Sequence, residues 1–213
     1  MTHSTYHHRT RQLLIMPAVG ASPRELEALR LPPIHVLPNI PTGHGLVGPT
    51  GTGKTFALVR LAADLVEQVV QANPCPAQAN MPQERSVKWL NWPEWAEQLK
   101  RTARDQESTA TLVERWKEAR TLFLDDLGRE RVKDKHDYSL AILDEVIDAR
   151  YRYLLPTYWT SNLSPAELAE FYPSRLASRL LATWPPQVIE GEDLRLKKLL
   201  AVQDFKRAAS GDV

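Results

Sequence analysis

Apolar residues recur along the middle of the chain in two alternating rhythms. Leu58, Leu61, Ala62, Leu65 and Val69 fall at three- and four-residue intervals, the stripe of an amphipathic helix that packs on a sheet, and predict a helix over 54–71. Thr121-Leu122-Phe123-Leu124 and Tyr158-Trp159-Thr160 are short, dense runs of apolar and β-branched residues, as in strands buried on both faces. Strands are expected near Gly45, Val87, Leu122, Tyr158 and Val188, alternating with helices over 54–71, 93–119 with a break, 138–153 and 164–182. This alternation implies a three-layer α/β fold, a parallel sheet of about five strands with helices on both faces. The first strand is the least regular, because Gly45, Leu46 and Val47 follow Gly43 and His44 and bring little β-branching. Ser164, Pro165 and Glu167 form a capping box for the last helix.

Between the first strand and the first helix lies Gly48-Pro49-Thr50-Gly51-Thr52-Gly53-Lys54-Thr55, a complete P-loop in the strand-to-helix setting that its chemistry requires. The glycines let successive backbone N–H groups converge on phosphate oxygens. Lys54 adds a mobile positive charge, Thr55 offers a hydroxyl to Mg²⁺, and the helix that starts there points the positive end of its dipole at the same anion. The chain is therefore expected to bind a nucleoside triphosphate.

Metal chemistry on such a substrate also needs a carboxylate at the end of a neighbouring strand, and Thr121-Leu122-Phe123-Leu124-Asp125-Asp126 supplies one. Asp125 is the candidate Mg²⁺ ligand, and Asp126 the residue that orients or polarises the attacking water. Asn162, after Tyr158-Trp159-Thr160-Ser161, is a candidate sensor of the γ-phosphate; the competing reading is ordinary loop chemistry ahead of the capping box. In Tyr172-Pro173-Ser174-Arg175-Leu176-Ala177-Ser178-Arg179-Leu180, two arginines four residues apart share a helix face. Either can serve a neighbour's phosphates in trans or pair with acids such as Glu167 or Glu170, and the sequence does not choose.

The chain's 213 residues suffice for one catalytic domain, expected over 43–200, with an arm and Pro-rich linker over 1–42 and a tail over 201–213. A net charge of +1 gives no global field for nucleic acid, so any contact must come from local clusters. Arg129, Arg131, Lys133 and Lys135 form one; Lys88, Trp89, Trp92, Trp95, Lys100, Arg101 and Arg104 form another, whose tryptophans equally fit a strand entering a helix with Trp95 and Leu99 turned to the core. Cys75 is the only cysteine, which excludes an intramolecular disulfide and suits a reducing cytoplasm. No run has the length of a transmembrane helix, and His3, His7 and His8 read as solvated.

Taken together, GPTGTGKT, LFLDDLG, WTSNLS, SRLASRLL and VIEGEDLR resemble the DnaC/IstB-type branch of the AAA+ ATPases, from Gly43 to Lys198. The resemblance implies an ATPase that uses ATP and Mg²⁺, with the P-loop and the two Walker B acids as above and Asn162 as sensor 1. It implies that Arg179, with Arg175 as second choice, is an arginine finger in a homo-oligomer, and that Arg195 is a late arginine near the sensor 2 position. It further implies a small or absent helical lid, a replicative helicase and single-stranded DNA as partners, no membrane, and the cytoplasm of a bacterial or phage-infected cell. A transposition ATPase of the same branch is the alternative, and a P-loop kinase for small molecules or an adaptor that only binds ATP are the readings from other classes. Two departures stand out. The segment before Gly43 is shorter than the helicase-gripping domain usual in loaders, and Asp126 is one methylene shorter than the glutamate common in AAA+ proteins, which implies slow, switch-like hydrolysis.

Overall fold

The computed structural model describes residues 43–72, 87–102, 106–132, 137–194 and 196. The expected arm, Cys75, Lys133, Lys135, Arg195 and the tail lie outside the described residues. The strands are β1 (Gly45–Val47), β2 (Val87–Asn91), β3 (Thr121–Leu127), β4 (Thr157–Ser161) and β5 (Pro186–Val188). The helices are α1 (Lys54–Ala72), α2 (Trp92–Thr102), α3 (Gln106–Glu118), α4 (Tyr138–Arg152), α5 (Pro165–Phe171) and α6 (Ser174–Thr183). All strand pairs are parallel and the order is β2-β3-β4-β1-β5, so the expected α/β sheet is what forms.

Side chains that alternate across the sheet build two separate cores. Trp89, Phe123 and Tyr158 turn to one face, where they pack with Leu58, Leu61 and Ala62 of α1. Their rings stack across three strands, Trp89 to Phe123 at 5.8 Å and Phe123 to Tyr158 at 5.0 Å between centroids. Leu90, Leu122, Leu124 and Trp159 turn to the other face and meet Leu99 of α2, Val113 and Trp116 of α3, Leu143 and Ile147 of α4 and Leu176 and Leu180 of α6. The weakness of β1 as a sequence signal has a packing cause: a Cβ on Gly45 would stand 2.3 Å from ring atoms of Trp159, whose indole donates to the Trp184 carbonyl at 3.0 Å. Glycine makes room there for the neighbouring strand's largest side chain.

The expected break within 93–119 falls between α2 and α3. The single helix expected over 164–182 is corrected to two. Pro173 forces Tyr172 into an extended conformation (φ −90°, ψ 155°), which ends α5 and sets the angle at which α6 leaves. Ser164 and Glu167 do form the expected capping box. No helix among the described residues is long and apolar enough to cross a membrane.

His44, 2% exposed, packs edge-on against Tyr158, and neither ring nitrogen has a hydrogen-bond partner among the described residues. Burial lowers its pKa below the usual histidine value, so the fold holds the neutral ring while the unfolded chain takes up a proton near its ordinary pKa. Its contribution to stability is complete above the unfolded pKa and declines as pH falls toward the folded one. The unfolding midpoint is expected to fall more steeply from about pH 7 to about pH 5 in the wild type than in His44→Leu, as followed by circular dichroism.

Candidate nucleotide site

The P-loop leaves the C-terminal end of β1 and enters α1 at Lys54, at the sheet edge where parallel α/β folds bind ligands. Lys54 is 5% exposed, and its ammonium donates to the carbonyls of Gly48 and Pro49, each at 2.7 Å. Thr52 Oγ1 donates to the Pro49 carbonyl at 3.0 Å. The loop thus holds its lysine against its own backbone, in reach of any anion that enters the cradle.

The P-loop and the end of β3 are joined directly. Thr55 Oγ1 lies 3.0 and 3.2 Å from the two carboxylate oxygens of Asp125 and donates to them. A hydroxyl and a buried carboxylate, both hard oxygen donors, suit a magnesium ion that takes its remaining ligands from phosphates and water. Asp125 is 2% exposed, and its Oδ1 also accepts from Thr160 Oγ1 at 2.6 Å. The same threonine oxygen accepts the N–H of Asp126 at 2.9 Å, so one β4 hydroxyl fixes both acids.

Asp126 sits at φ 62°, a left-handed conformation that costs a residue with a Cβ about 1–2 kcal/mol. The turn breaks the pairing of β3 with β4 between Leu124 and Leu127 and lifts the carboxylate off the strand. Its Oδ2 pairs with Arg129 Nη1 at 2.7 Å. At the tip of β4, Ser161 Oγ donates to the Leu127 carbonyl at 2.7 Å and accepts the Leu163 N–H at 3.0 Å. Asn162 lies within that clamped turn, half-buried, one residue beyond the strand.

Arg175 and Arg179 do share a face of α6, but their partners differ from those expected. Instead of Glu167 or Glu170 they meet two acids of α4. Arg175 Nη2 lies 3.4 Å from Asp144 Oδ2 and 3.7 Å from Asp148 Oδ1. Arg179 Nη1 pairs with Asp148 and lies 4.0 Å from Asp144, and its guanidinium stands 5.4 Å from the centre of the Tyr151 ring. An i, i+4 pair of arginines has docked on an i, i+4 pair of aspartates. Arg175 keeps 59% of its side chain exposed against 24% for Arg179.

Two residues of the site escaped the sequence reading. Thr160 was read only as part of a strand, and Asp193 only as part of the VIEGEDLR stretch. Yet Asp193 lies against the phosphate loop: a methyl group on Gly51 would overlap its carboxylate, and the next N–H, of Leu194, donates to the Gly51 carbonyl at 3.1 Å. For the second candidate cluster the structure favours the core alternative that the sequence offered. Trp89 and Trp92 are 2% and 1% exposed and build the core, unavailable to stack on bases, while Trp95 is partly buried and packs on Trp116 with ring centroids 5.0 Å apart. Of the first cluster, Arg129 is engaged by Asp126 and Arg131 is exposed.

A P-loop after the fourth strand in spatial order, with paired acids at the end of the second, defines a P-loop NTPase fold of the AAA+ class. The comparisons narrow this. The chain is 30% identical over 177 residues to the replicative helicase loader DnaI of Bacillus subtilis, an alignment that covers 72% of this chain. It superposes on a crystal structure of the DnaC helicase loader with a TM-score of 0.54 at 22% identity, over 74% of this chain and 84% of that one. It superposes on a crystal structure of DnaI with a TM-score of 0.54 at 23% identity, over 80% of each chain. No protein-family model matches. In sequence and in fold the chain thus resembles helicase loaders of the DnaC and DnaI kind, within the AAA+ class. It spans 49% of the length of the Bacillus relative.

Proposed function

We propose that the chain is an ATP-binding and ATP-hydrolysing switch of DNA replication that acts as a helicase loader. The observation that carries this reading is the continuous contact from the P-loop hydroxyl of Thr55 through Asp125 and Thr160 to Asp126, one hydrogen-bonded chain that joins the residues proposed to hold the metal to the acid proposed to orient water. Lys54 exchanges its two carbonyl partners for phosphate oxygens when ATP enters. Thr55 and Asp125 are the residues that would hold Mg²⁺, which supplies positive charge to the phosphates and to the leaving group.

Asp126, paired with Arg129, accepts a hydrogen bond from the attacking water, and the Asn162 amide orients that water or reads the γ-phosphate. Arg179, or the more exposed Arg175, reaches the phosphates of a neighbouring copy and links hydrolysis to assembly, with Arg195 contributing from the sensor 2 region. The proposed partners are a replicative helicase, which the 1–42 arm would engage, and single-stranded DNA.

Phosphate release per subunit, measured across protein concentration with and without single-stranded DNA, tests this. The expected result is a specific rate that rises with concentration and rises further with DNA. A rate that ignores both, with transfer of phosphate to a small-molecule acceptor, would support the kinase reading instead.

A further inference from the structure

Immediately after the two Walker B acids the chain makes a second left-handed turn, at Gly128 (φ 83°), two residues from the one at Asp126. The first turn is pinned by Thr160 from β4. The second is pinned from beneath by two buried side chains. The Gly128 N–H donates to Glu130 Oε2 at 2.8 Å and to Tyr172 Oη at 2.9 Å, while the Tyr172 hydroxyl donates to Glu130 Oε1 at 2.6 Å. Tyr172 is 1% exposed and Glu130 5%, and both polar ends are engaged with Gly128 and with each other.

Burying a carboxylate is costly, and a single neutral acceptor would have sufficed to satisfy one N–H. This cluster instead closes a triangle around Gly128, whose φ of 83° suits glycine and where a Cβ would stand 2.6 Å from Leu163 Cδ1 and have to displace that side chain. A closed triangle of short bonds fixes the position of a backbone segment, beyond merely satisfying it. Tyr172 is also the cap residue that ends α5, so the bond that fixes the Gly128 turn is anchored at the corner leading into the helix that carries Arg175 and Arg179.

We infer that Glu130 and Tyr172 are positioning residues that hold the turn carrying Asp126 in its water-orienting geometry. The inference rests on the ATPase reading above for its kinetic consequence, but the holding itself is independent of catalysis. The test compares the wild type, Tyr172→Phe and Glu130→Gln with Val113→Ala, a core truncation on α3 that lowers stability away from the turn. Hydrogen exchange of the amides of 126–130 is read beside ATP turnover and the affinity for a non-hydrolysable ATP analogue.

Both cluster variants are expected to exchange those amides about tenfold faster and to lose about tenfold in kcat, with analogue affinity within about twofold of wild type. Val113→Ala is expected to do neither. Unchanged exchange in Tyr172→Phe overturns the inference, as does an equal kcat loss in Val113→Ala, or faster exchange with wild-type kcat. A wild type that releases no phosphate counts against the ATPase reading, and the exchange comparison alone then decides whether the cluster holds the turn.

Discussion

Asp126→Asn is expected to lower ATP turnover by about 10²- to 10³-fold while nucleotide affinity stays within about twofold. The separation follows from the site. Phosphate affinity is assigned to the P-loop amides and Lys54, and metal affinity to Thr55 and Asp125, none of which depends on the Asp126 carboxylate. Asparagine keeps the size and the left-handed tolerance that φ 62° demands, so the turn survives. What it loses is negative charge toward water and the ion pair with Arg129. A fluorescent ATP analogue reads the affinity and single-turnover phosphate release reads the step. Equal losses in both would show that Asp126 supports binding, and the division of labour between the two acids would be wrong.

The second large effect concerns stability and lies at Arg150, which is fully buried with no carboxylate among its hydrogen-bond partners in the described residues. Its guanidinium donates to the carbonyls of Trp116 (2.9 Å) and Ala119 (2.7 Å) at the end of α3, to Pro156 (2.7 Å), and to Thr157 Oγ1 (2.8 Å). Burial pushes its pKa down to about 9, so the group is still charged at neutral pH. The cation sits at the negative end of the α3 dipole and ties that helix to the start of β4. Arg150→Met removes the cost of burying a charge but leaves those carbonyls facing an apolar side chain. Several orphaned acceptors outweigh the relief, and a loss of about 3–5 kcal/mol is expected. In a domain of this size that is on the order of 10 °C in unfolding midpoint, readable by calorimetry. A change within about 1 kcal/mol would mean that water replaces the guanidinium without loss.

The parts of the molecule legible in the sequence are those that local chemistry determines. The P-loop residues, the Asp125–Asp126 pair at a strand end and all five strands followed from spacing and side-chain type, because each is set by its immediate neighbours. What stayed hidden was tertiary. That Arg175 and Arg179 meet Asp144 and Asp148 depends on how α6 lies across α4, which the intervening Tyr172-Pro173 corner decides. Pro173 was a visible signal for that corner, overridden by the apolar periodicity on either side. The tryptophans of 89–95 are flanked by Lys88 on one side and Lys100 and Arg101 on the other, as on a nucleic-acid surface, but the period-two geometry of β2 turned Trp89 inward onto Phe123. The pairing of Glu130 with Tyr172 spans 42 residues and leaves no trace in either local pattern.

Subunit mixing tests the central claim, an ATP site completed by a neighbouring copy, most directly. Lys54→Ala keeps Arg179 but lacks the phosphate-binding lysine; Arg179→Ala keeps the P-loop but lacks the arginine. Each alone is expected to release phosphate at about a hundredth of the wild-type rate or less, and an equimolar mixture to recover a substantial fraction of it. A mixture no more active than the average of its parts, or an Arg179→Ala variant with the wild-type rate, would contradict the account.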